Sequence, residues 1–328
     1  MKVEDAAGTA GEEPARARLD VKHILKNYGI VFAFVLVCAV LAWLSPVFLS
    51  PTNVLIVIRQ SSITGIMAIG MTFVILTGGI DLSVGSILAF SGAVAASLLK
   101  ANAPLWVVIV AALAVGALLG LANGLVVTVG RITPFVTTLA MMTIARSLTL
   151  IYCNGYPISG FSTGFRFIGT GDVAKVPVPV LVFLAAVVLA AIVLRETRLG
   201  RYTYAIGGNE EAVRLSGIPS GLYKTMVYVF SGLASGLAAV ILTSRLNSAQ
   251  TVAGTGYELD VIAAVVIGGT SLMGGRGSVW GTLIGALLIA VINQGMVLLG
   301  INVYYQGLVK GLILLGAVLL DRLRDEQG

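Results

Sequence analysis

The feature that most constrains this chain is a succession of apolar stretches that are about as long as a membrane is thick. A helix needs about 20 mostly apolar residues to cross the hydrocarbon core of a bilayer. Ten candidate segments occur, at 30–49, 53–76, 82–99, 105–129, 134–152, 176–194, 225–244, 257–270, 279–299 and 303–320. Only 11% of the residues are charged, against about 25% in soluble domains. The sequence predicts an all-α integral membrane protein with about ten transmembrane helices.

The Lys and Arg residues predict the orientation of these helices, because basic residues accumulate in cytoplasmic loops. With a cytoplasmic N-terminus, fourteen basic residues fall inside and four outside, namely Lys100, Arg166, Lys175 and Arg245. Both termini are then cytoplasmic, and the chain divides into a polar arm (1–27), a membrane domain (28–321) and a tail (322–328). The segment 257–270 is short and flanked by glycines, which favours a broken or re-entrant helix. An eight-span arrangement with two re-entrant segments leaves the termini in place.

Several classes of function lack the residues that they need. The two cysteines, Cys38 and Cys153, form no CxxC pair, and the only histidine is His23 in the polar arm. The sequence therefore lacks the residues for a zinc site or for Ser–His catalysis. The Walker A pattern G-x-x-x-x-G-K-[ST] is absent, so the chain has no P-loop for ATP. We expect no metal, no resident cofactor and no enzyme activity, and the net charge of +6 requires no nucleic acid.

A single aspartate interrupts the apolar sequence between the second and third segments, in Ile75-Leu-Thr-Gly-Gly-Ile-Asp-Leu-Ser-Val-Gly-Ser86. Gly78 and Gly79 permit the backbone angles of a tight turn, and Asp81 precedes Leu82, where it can cap the next helix. In a second interpretation, the turn is a broken-helix element of a gate that Asp81 holds closed through hydrogen bonds. The sequence leaves both interpretations open.

Two short patterns recur along the chain. Gly78-Gly-Ile-Asp-Leu82 resembles Gly268-Gly-Thr-Ser-Leu272, and Asn123-Gly-Leu-Val126 resembles Gln294-Gly-Met-Val297. Internal duplications are common in transporters, but the spacing differs between the halves, so a true repeat stays an open alternative. The candidates for a gate or path are Gly79, Asp81, Ser83, Ser86, Asn123 and Gln294.

Charged residues within the apolar segments suggest a second polar site. Arg146 and Lys310 fall well inside their segments, and Asp260 lies near the outer end of another. A charge at the centre of a bilayer costs at least about 2.5–3.5 kcal/mol, so such side chains should face the protein interior or reach the interface. A charged network of Arg146, Asp260 and Lys310 is one hypothesis for their placement.

The polar segment 195–224 contains a capped helix. Asn209 is a good N-cap for a helix whose first turn carries Glu210 and Glu211, since carboxylates suit the positive helix end. Gly217 can close this helix. Its two turns are too few for stability alone, so either this protein or a partner must hold it.

Three motifs together resemble the permeases of ABC importers of the ribose/monosaccharide type. They are Gly200-Arg-Tyr-Thr-Tyr-Ala-Ile-Gly-Gly-Asn-Glu-Glu-Ala-Val-Arg-Leu-Ser-Gly-Ile218, Thr77-Gly-Gly-Ile-Asp-Leu-Ser-Val-Gly85, and Leu246-Asn-Ser-Ala-Gln-Thr-Val-Ala-Gly-Thr-Gly-Tyr-Glu-Leu-Asp260 followed by Ile267-Gly-Gly-Thr-Ser-Leu-Met-Gly-Gly-Arg-Gly277. The similarity covers about residues 28–321. Position 252 is a small departure, because this chain has valine where the ribose-type permeases have proline. It implies a multi-pass protein of the bacterial inner membrane that forms the path for a sugar.

The resemblance also implies partners. These are a cytoplasmic ATPase that carries ATP–Mg, an extracytoplasmic sugar-binding protein, a second copy of the permease and the surrounding lipid. The implied coupling residues are Gly208, Asn209, Glu210, Glu211, Ala212, Val213, Leu215 and Gly217.

Two alternatives remain at this point. A proton-coupled secondary transporter would use Asp81, Glu258 and Asp260 as proton carriers, because intramembrane carboxylates often have that role. An ABC permease for another sugar or a nucleoside would share every motif above, since the binding protein sets the substrate.

Overall fold

The computed structural model describes residues 21–325, and within this range the protein is built almost entirely from helices. The helices are α1 (Val21–Leu44), α2 (Pro51–Leu76), α3 (Val84–Lys100), α4 (Leu105–Thr128), α5 (Pro134–Tyr152), α6 (Thr163–Thr170), α7 (Val178–Glu196), α8 (Arg198–Leu215), α9 (Ser220–Leu246), α10 (Tyr257–Ile267), α11 (Val279–Leu298) and α12 (Val303–Asp325). Four two-residue strands form two antiparallel pairs, β1 (Ile158–Ser159) with β4 (Ser248–Ala249) and β2 (Asp172–Val173) with β3 (Val176–Pro177). Most of the predicted arm and the end of the tail lie outside the described residues.

Six helices, α2, α4, α5, α7, α9 and α11, are long and apolar enough to cross a membrane. Three more apolar stretches are shorter, at 29–44 in α1, in α3 and at 303–319 in α12. Each of the ten predicted segments coincides with a helix, so the all-α membrane class is confirmed. Helix α10 has 11 residues and is about 16 Å long, roughly half the thickness of the hydrocarbon core. This short length agrees with the prediction of a broken or re-entrant eighth segment.

Helix α6 and the two strand pairs were not predicted. Helix α6, β1 and the β2–β3 pair lie in the connection between α5 and α7, to which the sequence analysis assigned no element. Helix α6 is held by Phe165, which is buried and packs edge-on against Phe161 with ring centroids 5.4 Å apart. Helix α8 is also longer than the predicted two turns, because residues 198–208 are helical as well.

The antiparallel pair α4 and α9 forms the centre of the bundle, and small residues allow its close contact. A methyl group on Gly116 would overlap the carbonyl oxygen of Gly232, and a methyl group on Gly232 would overlap that of Gly116. Packing of this kind replaces the hydrophobic effect between helices inside lipid. Helices α2 and α3 also pack against α9, so this pair helps to position the segment between them, which contains Asp81.

The connections between helices gather at two opposite ends of the bundle. At one end, which we call the α8 end, the 77–83 and 268–278 loops lie against α8, and Gly275 N donates to Leu76 O at 2.9 Å. At the other end, which we call the β1–β4 end, Lys100 Nζ donates to Gly160 O at 3.2 Å and Arg59 pairs with Asp172 at 2.7 Å. Segments predicted on the same side of the membrane therefore contact each other.

We expect Gly116→Ala to lower the melting temperature of the purified protein, because the added methyl group meets backbone that cannot rotate away. Overpacking of this kind costs about 1–3 kcal/mol. The matched control is Gly311→Ala in α12, where nothing lies within 4 Å of the added carbon. Thermal unfolding in detergent measures both variants, and equal melting temperatures would contradict the proposed role of the α4–α9 contact.

Candidate functional site

The chain between α2 and α3 turns back into the protein instead of staying at the α8 end. Ser231 lies eleven residues after the first residue of α9, which places it about 16 Å along that helix. A carbon added to Gly70 of α2 would lie 2.8 Å from Ser231 Cα, and Asp81 also contacts Ser231. The 77–83 loop therefore brings Asp81 back to the depth of Gly70, six residues before the end of α2.

Asp81 is fully buried and receives three hydrogen bonds. Its Oδ1 accepts from Ser83 N at 3.0 Å and from Ser83 Oγ at 2.5 Å, and its Oδ2 accepts from Ser231 Oγ at 2.7 Å. Asn123 Nδ2 of α4 donates to Ser83 Oγ at 2.8 Å. A buried carboxylate is tolerated only when polar partners replace water. Here Ser83 and Ser231 of α9 are those partners, and Asn123 of α4 holds Ser83 in place.

The remaining gate candidates divide into two places. Ser86 Oγ donates to Ser83 O at 2.8 Å, and a carbon added to Gly79 would lie 2.6 Å from Tyr228 Oη. Together with Asp81, Ser83 and Asn123, these residues form one buried group, which we call the Asp81 cluster. Gln294 lies elsewhere, because its Nε2 donates to Asn53 Oδ1 near the start of α2 at 2.7 Å.

Asp81 accepts a backbone hydrogen bond near the start of α3, as predicted, but it is not the N-cap residue of that helix. Helix α3 begins at Val84, and Ser83 is its N-cap residue. Asp81 therefore does not cap a helix that starts at Leu82. It closes a turn just before the helix, where an aspartate side chain accepts from the backbone two residues further on. Its second oxygen holds α9, which a local cap does not do.

The second predicted site, on α8, has the expected local chemistry. Asn209 has extended backbone (φ −161°, ψ 97°), which breaks α8, and its Oδ1 accepts from Ala212 N at 2.9 Å. Gly217 follows with φ +77°, a left-handed conformation that suits glycine, and its N–H donates to Arg214 O at 3.0 Å. The predicted cap and stop are both confirmed.

Helix α8 is held to the rest of the protein through its N-terminal part. Added carbons on Gly207 and Gly274 would overlap backbone of the facing loops, so no larger residue fits without a shift. Tyr204 Oη donates to Gly277 O at 2.9 Å. The sequence reasoning did not select these residues, although the paired glycines at 207–208 and 274–275 were a visible signal. We call this contact between α8, Leu76 and the 268–278 loop the glycine junction.

The C-terminal part of α8 presents its side chains in two directions. Val213 is buried and Ile218 is half-buried, whereas Ala212 and Leu215 are exposed, Leu215 by 77%. The predicted apolar side of this helix is therefore only partly covered.

Ion pairs surround the same part of α8. Arg214 Nη2 contacts Glu211 Oε1 at 2.6 Å, and Lys224 Nζ contacts Glu210 Oε2 at 2.9 Å. The hydrogen bond to Glu211 and its negative charge raise the pKa of the Arg214 guanidinium. Burial raises the pKa of the Tyr204 hydroxyl, which therefore stays protonated as a donor to Gly277.

The predicted charged network forms only in part. Lys310 Nζ contacts Asp260 Oδ2 at 2.8 Å, and Asn293 Nδ2 donates to the same oxygen at 3.1 Å. Arg146 does not join this pair, because its Nη1 donates at 2.8 Å to the carbonyl oxygens of Thr251 and Ala253. A backbone loop that leaves its helix inside the protein needs such a donor, and no sequence pattern indicated this contact. Among residues 21–325, no group of three His, Cys, Asp or Glu side chains is placed to hold a metal ion.

Comparison with known proteins defines the class to which this chain belongs. The profile of a family described as branched-chain amino acid transport system / permease component matches residues 53–318. The chain belongs to this family of transport permeases. Together with the six apolar helices, this membership makes it a multi-pass protein of the bacterial inner membrane.

Individual relatives are similar over nearly their full length. The ribose import permease protein RbsC of Bacillus subtilis is 48% identical over 307 residues, which cover 93% of this chain and 95% of the relative. RbsC of Escherichia coli K12 is 48% identical over 308 residues, which cover 93% and 96%. The D-allose transport system permease protein AlsC of the same strain is 39% identical, with coverage of 90% and 92%. No solved structure matches the chain significantly.

We expect Asp81→Ala to reduce the folded yield and the melting temperature, whereas Asp81→Asn stays close to the original protein. Alanine leaves the three donors from Ser83 and Ser231 buried without an acceptor, and each unsatisfied group costs about 1–3 kcal/mol. Asparagine keeps an acceptor for Ser83 and places its amide beside Ser231 Oγ. Size-exclusion profiles and thermal unfolding in detergent measure the difference, and an alanine variant as stable as the original would contradict this account.

Proposed function

We propose that this chain is the membrane-spanning subunit of an ATP-driven importer for ribose or a related monosaccharide. The observation that carries the proposal is the near-full-length similarity to ribose import permeases. The glycine junction adds a physical route by which a partner at α8 acts on the transport path. The chain itself carries no P-loop, so a separate ATPase binds ATP–Mg and hydrolyses it.

The proposed topology has ten membrane-crossing or membrane-entering segments, with both termini in the cytoplasm and 28–321 as the transport domain. In this arrangement the α8 end is cytoplasmic and the β1–β4 end faces outward. Two observations support it. The positive-inside bias favours this direction, and the segments assigned to each side pack together, as the contact of Gly275 with Leu76 illustrates.

In this arrangement α8 couples the ATPase to the Asp81 cluster. The exposed Ala212 and Leu215 provide the docking surface, and Gly207 rests on the end of α2 and on the 268–278 loop. A displacement of α8 therefore reaches the 77–83 loop through backbone contacts. An extracytoplasmic sugar-binding protein delivers the sugar at the β1–β4 end, and a second copy of the chain completes the path within the lipid.

Uptake in reconstituted vesicles tests this function directly. Vesicles that contain this chain, the companion ATPase and the companion binding protein should accumulate labelled ribose only when ATP is supplied, and a panel of other sugars defines the range. An uncoupler should leave uptake unchanged. Uptake that persists without the ATPase and disappears with an uncoupler would instead indicate a proton-coupled transporter.

The two Asp81 variants extend this test to the gate. If the charge of Asp81 holds a gate, Asp81→Asn should assemble with the ATPase but fail to couple hydrolysis to uptake. Near-normal uptake by that variant at normal expression would leave Asp81 with a structural role alone.

We expect a cysteine at position 215 to crosslink to the ATPase, because Leu215 is 77% exposed at the end of α8. The matched control is Val213→Cys on the same helix, where the original side chain is only 7% exposed. A short bifunctional reagent should join Leu215→Cys to the ATPase far more efficiently. Labelling of Leu215→Cys by an impermeant reagent outside intact cells would contradict the proposed orientation.

A further inference from the structure

A polar cavity at the α8 end lies apart from the glycine junction and from the exposed Leu215. Its volume is about 500 Å³, and it lies between the turn that joins α4 to α5, the C-terminal part of α8 and the start of α9. This volume is within the range of small-molecule sites, about 300–1,000 Å³. The side chains that define its character are Thr128, Arg131, Glu210, Arg214, Ser220 and Lys224. We call it the α4–α8 cavity.

The charges around this cavity are mostly positive. Three cationic side chains line it and one carboxylate, that of Glu210. Lys224 is held by Glu210, and Arg214 by Glu211. Arg131 is exposed and makes no ion pair or side-chain hydrogen bond with any residue in the range that the structure describes. The cavity thus offers one unpaired guanidinium and a lysine whose partner an incoming anion can replace.

The surroundings of the cavity are those of a membrane boundary. It lies where α4 ends and where α5 and α9 begin, and all three are candidate membrane-crossing helices. Exposed apolar side chains lie next to its lining along the chain. Ile132 lines the cavity and is 45% exposed, and Val129, Leu125 and Leu222, within three residues of lining residues, are exposed by 76%, 45% and 52%. A polar cavity with cations and exposed apolar neighbours suits an amphipathic anion. A free phosphate would leave these apolar side chains without a partner.

We propose that the α4–α8 cavity binds the phosphodiester headgroup of an anionic phospholipid from the cytoplasmic leaflet. Basic pockets between membrane helices bind such headgroups, and juxtamembrane basic residues are attracted to anionic lipid. Arg131 and Lys224 contact the phosphate oxygens, and the acyl chains lie along Val129 and Leu125. The assignment to the cytoplasmic leaflet rests on the topology under "Proposed function".

Lipid binding then affects the coupling helix. Glu210 is the first residue after the break in α8, and its carboxylate contacts Lys224 and Ser220 Oγ of α9. When a phosphate oxygen takes the place of Glu210 on Lys224, α8 loses one of its ties to α9. The charge of the inner leaflet thereby adjusts how freely α8 moves.

Lipid binding to the full-length protein in neutral detergent tests the proposal without any transport assay. Native mass spectrometry counts the lipids bound during titration with phosphatidylglycerol, and phosphatidylcholine and inorganic phosphate serve as comparison ligands. We expect one phosphatidylglycerol to bind in preference to phosphatidylcholine. Arg131→Gln should weaken its binding about fivefold, the effect of one basic residue near an anionic surface, and Arg131→Lys should retain most of the affinity.

Two further variants sharpen the test. Arg198→Gln is the matched control, because Arg198 is an exposed arginine at the same end that does not line the cavity, and it should bind like the original protein. Glu210→Gln should tighten binding, since the competitor for Lys224 loses its charge.

Equal weakening in Arg131→Gln and Arg198→Gln would overturn the proposal, as would equal affinity for the two lipids. Displacement of the lipid by inorganic phosphate at comparable concentration would show a site for the free anion instead. Because no outcome depends on uptake, failure here leaves the importer proposal untouched.

Discussion

Backbone that leaves a helix inside a membrane protein must find its hydrogen bonds within the protein, because lipid offers none. The 77–83 loop meets this requirement with side chains from three helices. Asp81 accepts from Ser83 N and reaches Ser231 on α9, and Thr138 Oγ1 of α5 donates to Ile80 O at 3.2 Å. Asn123 of α4 completes the set through Ser83. The break between α2 and α3 is possible only because α4, α5 and α9 surround the 77–83 loop. The position of this loop therefore depends on the packing of these three helices.

The same requirement explains why glycine dominates the contact with α8. At the glycine junction backbone meets backbone, with Gly275 N bonded to Leu76 O and Gly207 packed against both segments. A long side chain at such a contact would absorb a small displacement by changing its rotamer. Directly packed backbone has no such freedom, so the 77–83 and 268–278 loops follow α8 closely. This rigidity depends on the small residues themselves, and it supports the coupling role proposed for α8.

The sequence predicted those features that depend on local patterns. Apolar stretches of membrane length predicted the positions of the helices. The side chain of Asn209 and the conformational freedom of Gly217 predicted the N-cap and the end of the helix that they enclose. The sequence also selected Gly79, Ser83, Ser86 and Asn123, the residues that share the cluster with Asp81. It did not select Ser231, which lies 150 residues further along the chain and meets Asp81 only through the packing of α9. Gln294, the other candidate for a gate or path, lies apart from this cluster, since its contact with Asn53 arises from the packing of α11 on α2. Arg146 lies outside the Lys310–Asp260 pair because its partners are the carbonyl groups of Thr251 and Ala253, and backbone carbonyl groups carry no sequence signal.

Helix α12 illustrates how polar contacts fix positions that apolar packing leaves open. Its outward side chains Leu308, Leu312, Leu315 and Leu319 are all more than half exposed. Lipid solvates leucine as well as a neighbouring helix does, so apolar surface alone does not fix where α12 lies. Two polar contacts do so: Lys310 binds Asp260 on α10, and Asp321 Oδ2 accepts from Leu272 N at 3.0 Å. One contact is near the start of α10 and the other is in the loop that follows it, so α12 is held against this segment at two separate points. Because the 268–278 loop also contacts α8, the position of α12 affects α8 through this loop. The charge of Lys310 at membrane depth thus has a structural reason.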